Sequence, residues 1–490
     1  MRLVMLFVGA VVVLLMAGCG GSEEGPQPFK VGVASVKITP EKEGLYLGGW
    51  GENRRYTKIH DDIYARAIVF ERGDTKVAWV ALDLVGLMEP DVEDIRARVK
   101  DLPPANIVIA CSHVHSAPDT IGLWGPDEAT CGVDPEYLEF VKARTADAIK
   151  QALQATHVAR VRLAQAKAPA RCAINHQDAA TIDSTISILQ AVNPADEPVA
   201  TVVNWACHPE CLDKHNLEIT SDYVHWLRQV VEADTGAPCI FFNGALGGMV
   251  SPDIEEHTFA EAERVGTTVG QVVVEALKEA EGPLRPDLAF RSEKVTVPVA
   301  NETLRQAAKV GLIAAYRGQA MKEVQADIAV MWLGPSVWMT MPGEPLPAVG
   351  LEAKDLVTAD YEFLVSLANS ELGYILPKAF WEREQYKYEM SMSIGPDTAD
   401  LCLSVLRSLL NGAPEWATAK KSAGTAASKE KPGTEKKPVA EAEAPAVSAP
   451  ENPVTSVGAV PAGKQAAPLP QPEPTTPATP GANTEPVSGE

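Results

Sequence analysis

Five short polar motifs, each close behind an apolar run, contain the residue types that a metal-dependent hydrolase needs. The motifs are residues 112–116 (SHVHS), 204–209 (NWACHP), 243–252 (NGALGGMVSP), 342–344 (PGE), and Asn369 with Gly373-Tyr374. The apolar runs predict β-strands, and ligands of open α/β sheets bind outside the carboxyl ends of the strands. Histidines, a carboxylate and a hydroxyl that meet there can form a catalytic zinc site.

The histidines follow two of these runs. His113 and His115 are two residues apart, so an extended backbone would direct both side chains to the same side. The alternative is a chance pair of surface histidines. His208 ends a second run, and Pro209 then prevents further ladder pairing because it has no N–H group.

Glu344 and Tyr374 are the candidate oxygen ligands. A carboxylate is a natural zinc ligand beside imidazoles, although Glu344 could instead be a glutamate at a helix N-terminus. Gly373 permits a sharp turn before Tyr374. The phenol could bind a metal as phenolate, donate a hydrogen bond to an oxyanion, or only pack.

Ser251 follows a loop with three glycines. Such a loop can present backbone N–H groups to an anion. It lacks the lysine of a phosphate-binding P-loop, and no glycine lies two residues before or after the serine, as a nucleophile elbow requires. Taken alone, the loop predicts only a turn.

The elements that position these motifs alternate between strands and helices. Early strands are predicted at residues 31–38, 65–70 and 77–82. Helices are predicted after the Asp134-Pro135 cap and at residues 259–277, 302–316 and 398–410. This alternation predicts an α/β fold in which a layered mixed or mainly parallel sheet is flanked by helices. Residues 29–412 form one large predicted domain.

The two ends of the chain have a different composition. Residues 1–18 resemble a signal peptide ending in a lipobox at Cys19, and residues 19–28 predict a tether. The alternative is an ordinary signal peptide with a chance cysteine. A lipid on Cys19 would hold the protein on a membrane, facing a periplasm or the cell exterior. Residues 413–490, rich in Ala, Pro and Glu, predict a disordered tail.

Charge and cysteine content exclude some partners and sites. The net charge of −22 argues against a nucleic-acid partner, because phosphate binding needs basic patches. No protein partner is indicated. Cys207 and Cys211 flank His208, but no second close cysteine pair completes a thiolate zinc site. Seven cysteines besides Cys19 leave at least one thiol unpaired, and Cys111 and Cys239 lie on apolar runs and are expected in the core.

In their order along the chain, the motifs resemble those of the N-terminal catalytic domain of the neutral ceramidase family. The matching stretches are residues 32–40 (GVASVKITP), 59–61 (IHD), 65–67 (ARA), 112–118 (SHVHSAP), 204–208 (NWACH), 221–223 (SDY), 250–253 (VSPD), 342–345 (PGEP), 373–375 (GYI) and 388–389 (YE). They extend over nearly all of the predicted domain.

The resemblance implies a zinc amidase that cleaves the N-acyl bond of ceramide or a related N-acyl amphiphile. Carried over by position, the zinc ligands would be His113, His208, Glu344 and Tyr374. His115 would stabilise or protonate the reacting centre. Ser251 matches a serine that the family requires, often described as the nucleophile. Attack by Ser251 and attack by water, with Ser251 orienting the substrate, both remain open.

The sequence also departs from the family pattern. His176 stands where the family carries an arginine and could replace its charge only when protonated, as a third catalytic candidate. Residues 247–250 read GGMV where the family has Gly-Asp, and Asp253 replaces an asparagine. The immunoglobulin-like C-terminal domain of the family is expected to be missing. Two alternatives therefore stay open: a metal hydrolase of a different amide or ester, and a non-catalytic binding lipoprotein on the same fold.

Overall fold

Three β-sheets form the centre of the structure, a computed structural model that describes residues 27–418. The predicted signal peptide, the Cys19 lipidation site, most of the predicted tether and the tail from residue 419 onward lie outside the described residues. No helix within residues 27–418 is long and apolar enough to cross a membrane.

The bounds of the elements follow in chain order. The strands are β1 Phe29–Lys37, β2 Lys58–Ile59, β3 Tyr64–Arg72, β4 Thr75–Leu82, β5 Ile107–Cys111, β6 His157–Val158, β7 Arg160–Lys167, β8 Ile174–Asn175, β9 Thr185–Val192, β10 Pro198–Trp205, β11 Glu218–Ile219, β12 Cys239–Asn243, β13 Val250–Ser251, β14 Glu281–Leu284, β15 Leu288–Pro298, β16 Glu323–Leu333, β17 Ser336–Thr340, β18 Glu344–Pro345, β19 Tyr361–Val365 and β20 Tyr374–Ile375. The helices are α1 Glu89–Ala97, α2 Pro135–Gln154, α3 Tyr223–Thr235, α4 Phe259–Lys278, α5 Glu302–Val310, α6 Pro347–Asp355, α7 Lys387–Ser391, α8 Thr398–Asn411 and α9 Glu415–Thr418.

Each main sheet contains one parallel pair of strands. The strand orders are β5-β4-β3-β1-β6, β12-β10-β9-β7-β14 and β15-β16-β17-β19. The pairs β4/β5, β10/β12 and β17/β19 are parallel, and a helix (α1, α3 or α6) lies between the two strands of each pair in the chain. The other neighbours in these sheets are antiparallel. The mixed form of the predicted α/β fold is therefore confirmed. Two further parallel pairs, β2/β11 and β18/β20, form separate two-stranded sheets.

A shared apolar core lies between the three sheets. Trp338 packs against Phe363 in a stacked contact and against Trp79 and Phe242 edge-on. Burying aromatic side chains of this size stabilises the fold by about 1.5–3 kcal/mol each. Outside this core, α2 covers the first sheet, α3 and α4 cover the second, and α8 covers the third. The layered arrangement predicted from the sequence is confirmed.

Most predicted helices agree with the observed bounds. The side chain of Asp134 accepts hydrogen bonds from the first turn of α2, as predicted for a capping residue. The helix predicted over residues 302–316 is too long. It ends at Gly311, whose φ of +88° closes α5 with a left-handed residue, and a separate short turn follows at Ala314–Tyr316.

Three motif asparagines join the sheets rather than face a ligand. Asn243 donates to the carbonyls of Ser112 and Cys207, and Asn204 donates to Leu364. These side chains are buried, so each bond replaces lost water contacts at positions where separate sheets meet. Asn369 similarly accepts from the backbone N–H of Ile109 and donates to the carbonyl of Asp327. The asparagines thereby hold the ends of the motif strands together.

Candidate metal centre

His113 and His208 enter the centre from different sheets. Strand β5 ends at Cys111, and His113 has φ +70°, so the extended backbone considered for the histidine pair does not continue. His113 and His115 nevertheless lie together, with ring centroids 4.8 Å apart. The ring of His208 lies 5.0 Å from that of His113. A turn, rather than strand alternation, brings the three histidines to one place.

Backbone carbonyls fix the orientation of two of these rings. His113 Nδ1 lies 2.6 Å from the Val85 oxygen, and His208 Nδ1 lies 3.0 Å from the Val250 oxygen. A carbonyl oxygen can only accept, so each Nδ1 must carry the proton. In the neutral ring, Nε2 is then left with a lone pair, which is the arrangement found in metal-ligating histidines.

Both Nε2 atoms face the same carboxylate oxygen. Glu344 Oε2 lies 3.4 Å from Nε2 of His113 and 3.2 Å from Nε2 of His208. A neutral imidazole lone pair and a carboxylate oxygen are both acceptors, so each contact needs a proton or a metal ion between the two atoms. Glu344 lies in β18, which pairs with β20 so that Glu344 is opposite Tyr374.

The charges of these groups depend strongly on one another. Burial lowers the pKa of His208, but the carboxylates of Glu210 and Glu344 outweigh it and raise this pKa to about 9. Burial also lowers the pKa of His113, but the charge of Glu344 outweighs burial and raises this pKa above its ordinary value. Despite burial, the two histidines hold the pKa of Glu344 well below its usual range.

A second carboxyl, Glu371, lies on the other side of His113. Sequence reasoning missed this residue, because no motif marks the glutamate that lies between Asn369 and Tyr374. Its Oε1 accepts from the Gly373 N–H at 2.8 Å, and its Oε2 has no hydrogen-bond partner within residues 27–418. Burial and the neighbouring Glu344 raise the pKa of Glu371 to about 8.

Ser251 and His115 meet through a third carboxyl, Glu210, which sequence reasoning also missed. The Ser251 hydroxyl donates to Glu210 Oε1 in a very short contact. Glu210 Oε2 lies 3.3 Å from His115 Nδ1. Although burial opposes ionisation, His208 and His115 lower the pKa of Glu210 to about 2, so it is a carboxylate acceptor at neutral pH. Its position two residues after His208 was the available sequence signal.

His115 is tightly enclosed. Gly49 has φ +94°, and a Cβ added there would lie 2.3 Å from His115 Cγ, so only glycine allows this approach. The Trp50 ring contacts His115 edge-on with centroids 5.6 Å apart. Burial lowers the pKa of His115 to about 4, and neither ring nitrogen makes a hydrogen bond to another described residue.

Tyr374 and His176 are placed differently from this cluster. Gly373 has φ +69°, in agreement with the sharp turn expected there, and the Tyr374 hydroxyl lies 3.7 Å from Met249 Sδ. His176 is exposed, and its backbone N–H donates to the Met249 carbonyl beside Ser251. The roles of both side chains stay predictions.

The donor set fits a metal ion. His113, His115 and His208 each offer a ligand atom, and these atoms lie within 4.8 Å of one another; the same holds for His113, Glu344 and Glu371. Nε2 of His115 and Oε2 of Glu371 are further potential ligand atoms, and neither makes a hydrogen bond in the described chain. Such buried groups are costly unless a ligand satisfies them. The seven described cysteines are all free thiols, Cys111 and Cys239 are buried as expected, and no cysteine belongs to either candidate ligand group.

The centre opens onto a largely apolar cavity. Besides His113, His115, Glu344 and Glu371, side chains such as Trp124, Leu304, Ile313, Met321, Met392 and Ile394 line it. A cavity with a few polar groups at one end and apolar walls is typical of a site for a small or amphiphilic ligand.

Two solved structures share this fold. A neutral ceramidase from Pseudomonas aeruginosa matches with a TM-score of 0.68 and 16% identity, over 80% of this chain and 76% of that chain. A ceramidase complexed with C2 matches with a TM-score of 0.68 and 14% identity, over 81% of this chain and 79% of that chain. No protein-family model and no curated protein sequence matches the chain. At these identities the likeness concerns the fold, and the chain has the mixed α/β fold of the neutral ceramidases.

Proposed function

We propose that this chain is a metal-dependent hydrolase that cleaves the N-acyl amide bond of ceramide or of a related amphiphile. The arrangement of His113, His208 and Glu344 carries the proposal. Each histidine is held at Nδ1 by a backbone carbonyl, and each Nε2 is directed at one oxygen of Glu344. Two lone pairs aimed at a carboxylate make a site that a cation stabilises.

The ion that the ceramidase resemblance implies is zinc. His113, His208 and Glu344 would hold it, with Tyr374 as the fourth ligand by position. When bound, zinc polarises a carbonyl oxygen and lowers the pKa of a bound water or hydroxyl.

Ser251 and Glu210 supply the groups that handle the proton. The ionised Glu210 holds the Ser251 hydroxyl by accepting its hydrogen bond. If Ser251 attacks the amide carbonyl, Glu210 accepts its proton and passes that proton to the leaving amine as the C–N bond breaks. Water then releases the acyl group as a carboxylic acid. If water attacks instead, the same contact keeps Ser251 oriented toward the substrate.

The apolar cavity and the exposed His176 bear on the substrate. Walls formed by residues such as Trp124 and Ile313 suit an acyl chain. His176, which stands where the family carries an arginine, is exposed to solvent. Its side chain therefore does not place a positive charge inside the cluster. This observation favours a second candidate function, hydrolysis of a different amide or of an ester by the same centre.

We also propose that the protein is exported and held on a membrane by a lipid on Cys19. The lipobox-like sequence at residues 15–19 supports this. Labelling of the expressed protein with a radioactive fatty acid, compared with a Cys19→Ala variant, tests it. Equal labelling of the two proteins would contradict it.

The central experiment measures metal and hydrolysis together. Purified full chain and a Glu344→Ala variant are analysed for metal content and for fatty-acid release from ceramide, from other N-acyl amphiphiles and from matched esters. We expect about one zinc per wild-type chain, none in the variant, and amide cleavage only when metal is bound. Well-folded wild type without metal affinity would overturn the proposal, whereas metal-dependent cleavage of esters alone would favour the second candidate.

A further inference from the structure

Glu371 is the buried carboxyl that the proposed ligand set leaves unused. It is 9% exposed and lines the same cavity as His113 and Glu344. The ligand atoms that these three residues offer all lie within 4.8 Å of one another. One carboxylate oxygen is held by the Gly373 N–H, which fixes the side chain, while Oε2 makes no hydrogen bond within the described chain.

We infer that Glu371 is a ligand of the metal ion beside His113 and Glu344, in the place that the family resemblance gives to Tyr374. The inference rests on the proposed function insofar as that function requires a metal. Two carboxylates buried beside each other repel unless a positive charge lies between them. His113 alone lies close to both, and a divalent cation would offset both carboxylates at once.

The contrast with Tyr374 supports this assignment. Glu371 precedes the turn at Gly373 and Tyr374 follows it, and Tyr374 is buried opposite Glu344. Its hydroxyl also contacts Met249 Sδ at 3.7 Å, whereas Glu371 Oε2 is free to bind. A carboxyl gives up its proton to a metal ion much more readily than a phenol does.

The resulting ligand set also says which ions fit. Imidazole nitrogens with carboxylate oxygens accept zinc, and they equally suit manganese or iron, because no soft thiolate is present among the candidate ligands. A second carboxylate increases the negative charge around the ion. We therefore expect a larger preference for divalent cations of hard character than a centre with one carboxylate would show.

The test measures metal affinity directly. Full-length wild type, Glu371→Gln and Asp91→Asn are stripped of metal and titrated with Zn²⁺ in competition with a chromophoric chelator. Asp91 is a matched control, because it is a buried carboxyl outside both groups of candidate ligands and one of its oxygens likewise makes no hydrogen bond in the described chain. In parallel, Co²⁺ is bound and its visible absorption recorded, since the intensity and position of these bands report the ligand set.

We expect Glu371→Gln to weaken Zn²⁺ binding on the order of 100-fold and to change the Co²⁺ spectrum. Asp91→Asn should leave both unchanged. If Glu371→Gln binds Zn²⁺ as tightly as wild type with an unaltered spectrum, Glu371 is not a ligand, although the proposed function survives. Wild type that binds neither ion would instead remove the proposed metal centre itself.

A Glu371→Asp variant covers the case in which Glu371→Gln does not fold. Aspartate keeps the charge but withdraws the oxygen by one methylene. If Glu371 is a ligand, this variant binds Zn²⁺ more weakly than wild type and has a shifted Co²⁺ spectrum. Wild-type affinity and spectrum in the folded aspartate variant would overturn the inference.

Discussion

Two clusters of buried charge in this protein differ in how their charges are satisfied. Asp83 and Arg228 form a two-pronged ion pair with both N–O distances at 2.7 Å, and the Tyr64 N–H and the Ser112 hydroxyl add donors to the same carboxylate. At the candidate metal centre, by contrast, one oxygen of Glu344 faces Nε2 of both His113 and His208, and Glu371 has an oxygen without a partner in the described chain.

The difference separates a structural role from a binding role. Asp83 follows β4 and Arg228 lies in α3, so their ion pair joins the first sheet to the helix that covers the second. The protein itself completes that cluster. At the candidate metal centre, carbonyls, a turn and the sheets orient the side chains, which is the condition of a preorganised site. Burial alone therefore does not identify a site; what marks this one is that several potential ligand atoms, some without a hydrogen bond, are buried together.

The largest effect is expected from His208→Ala. The substitution removes an Nε2 donor, so it should abolish both metal binding and hydrolysis while the fold is kept. Metal analysis, activity and far-UV circular dichroism on one preparation check this. Substitution of the exposed His157 by alanine is the control and should change neither property. A His208→Ala protein with full activity would end the zinc assignment.

Glu210→Gln should reduce turnover without removing the metal. The amide is a weaker acceptor for the Ser251 hydroxyl and cannot take its proton, so kcat should fall about 10²–10⁴-fold, the range typical of a positioned base. Zn²⁺ affinity should change much less. Steady-state kinetics and chelator competition measure the two quantities. If the loss of turnover simply followed loss of metal, Glu210 would belong to the ligand set instead.

Arg228→Met should affect stability, with the metal still bound. The variant leaves Asp83 as an uncompensated buried charge, at an expected cost of about 3–5 kcal/mol in the free energy of unfolding. Denaturant titration gives this value. Arg407→Met is the control, because the ion pair of Arg407 with Glu352 is exposed and should contribute less than about 1 kcal/mol. Equal losses in the two variants would mean that the buried pair has no special structural role.

Metal addition should stabilise the wild type by a smaller amount. Binding to the native state alone adds about 2.7 kcal/mol to the free energy of unfolding when the free ion is at 100 times its Kd. A chelator should reverse the gain, and His208→Ala should show none. Thermal melts with and without Zn²⁺ provide the measurement. If Zn²⁺ does not change the melting temperature of the wild type, the candidate metal centre does not differ from the Asp83–Arg228 cluster in binding an ion.

The strand-end motifs could be predicted because apolar runs and polar residues alternate visibly in the sequence. The structure brings His113, His208 and Glu344 together, and their roles stay predictions. Strand direction could not be predicted in the same way: a buried apolar run looks alike in parallel and antiparallel sheets, so the choice between a mixed and a mainly parallel sheet remained open. The sequence shows a glycine at position 311, but it does not show that this glycine adopts a left-handed φ and ends α5.

Glu210 and Glu371 are residues of the candidate site that could not be predicted from a single sequence. Both are ordinary acidic residues, and the chain contains many others. What distinguishes them is contact with groups far away in sequence, such as Glu210 with Ser251 and Glu371 with His113. The motif asparagines differ from these carboxyls, since Asn204 and Asn243 lie within the polar motifs but bind backbone between sheets.

The histidines and Glu344 come from three different sheets, across residues 113 to 344 of the chain. No fragment of the chain therefore presents all of the donors together, and long loops must close before His113, His208 and Glu344 meet. If the centre binds a metal ion as proposed, a nascent or unfolded chain has no preformed site, and the ion binds only after the sheets have assembled. The compartment in which the protein completes folding would then decide which metal pool it samples, and the last folding step would also be the step of cofactor selection.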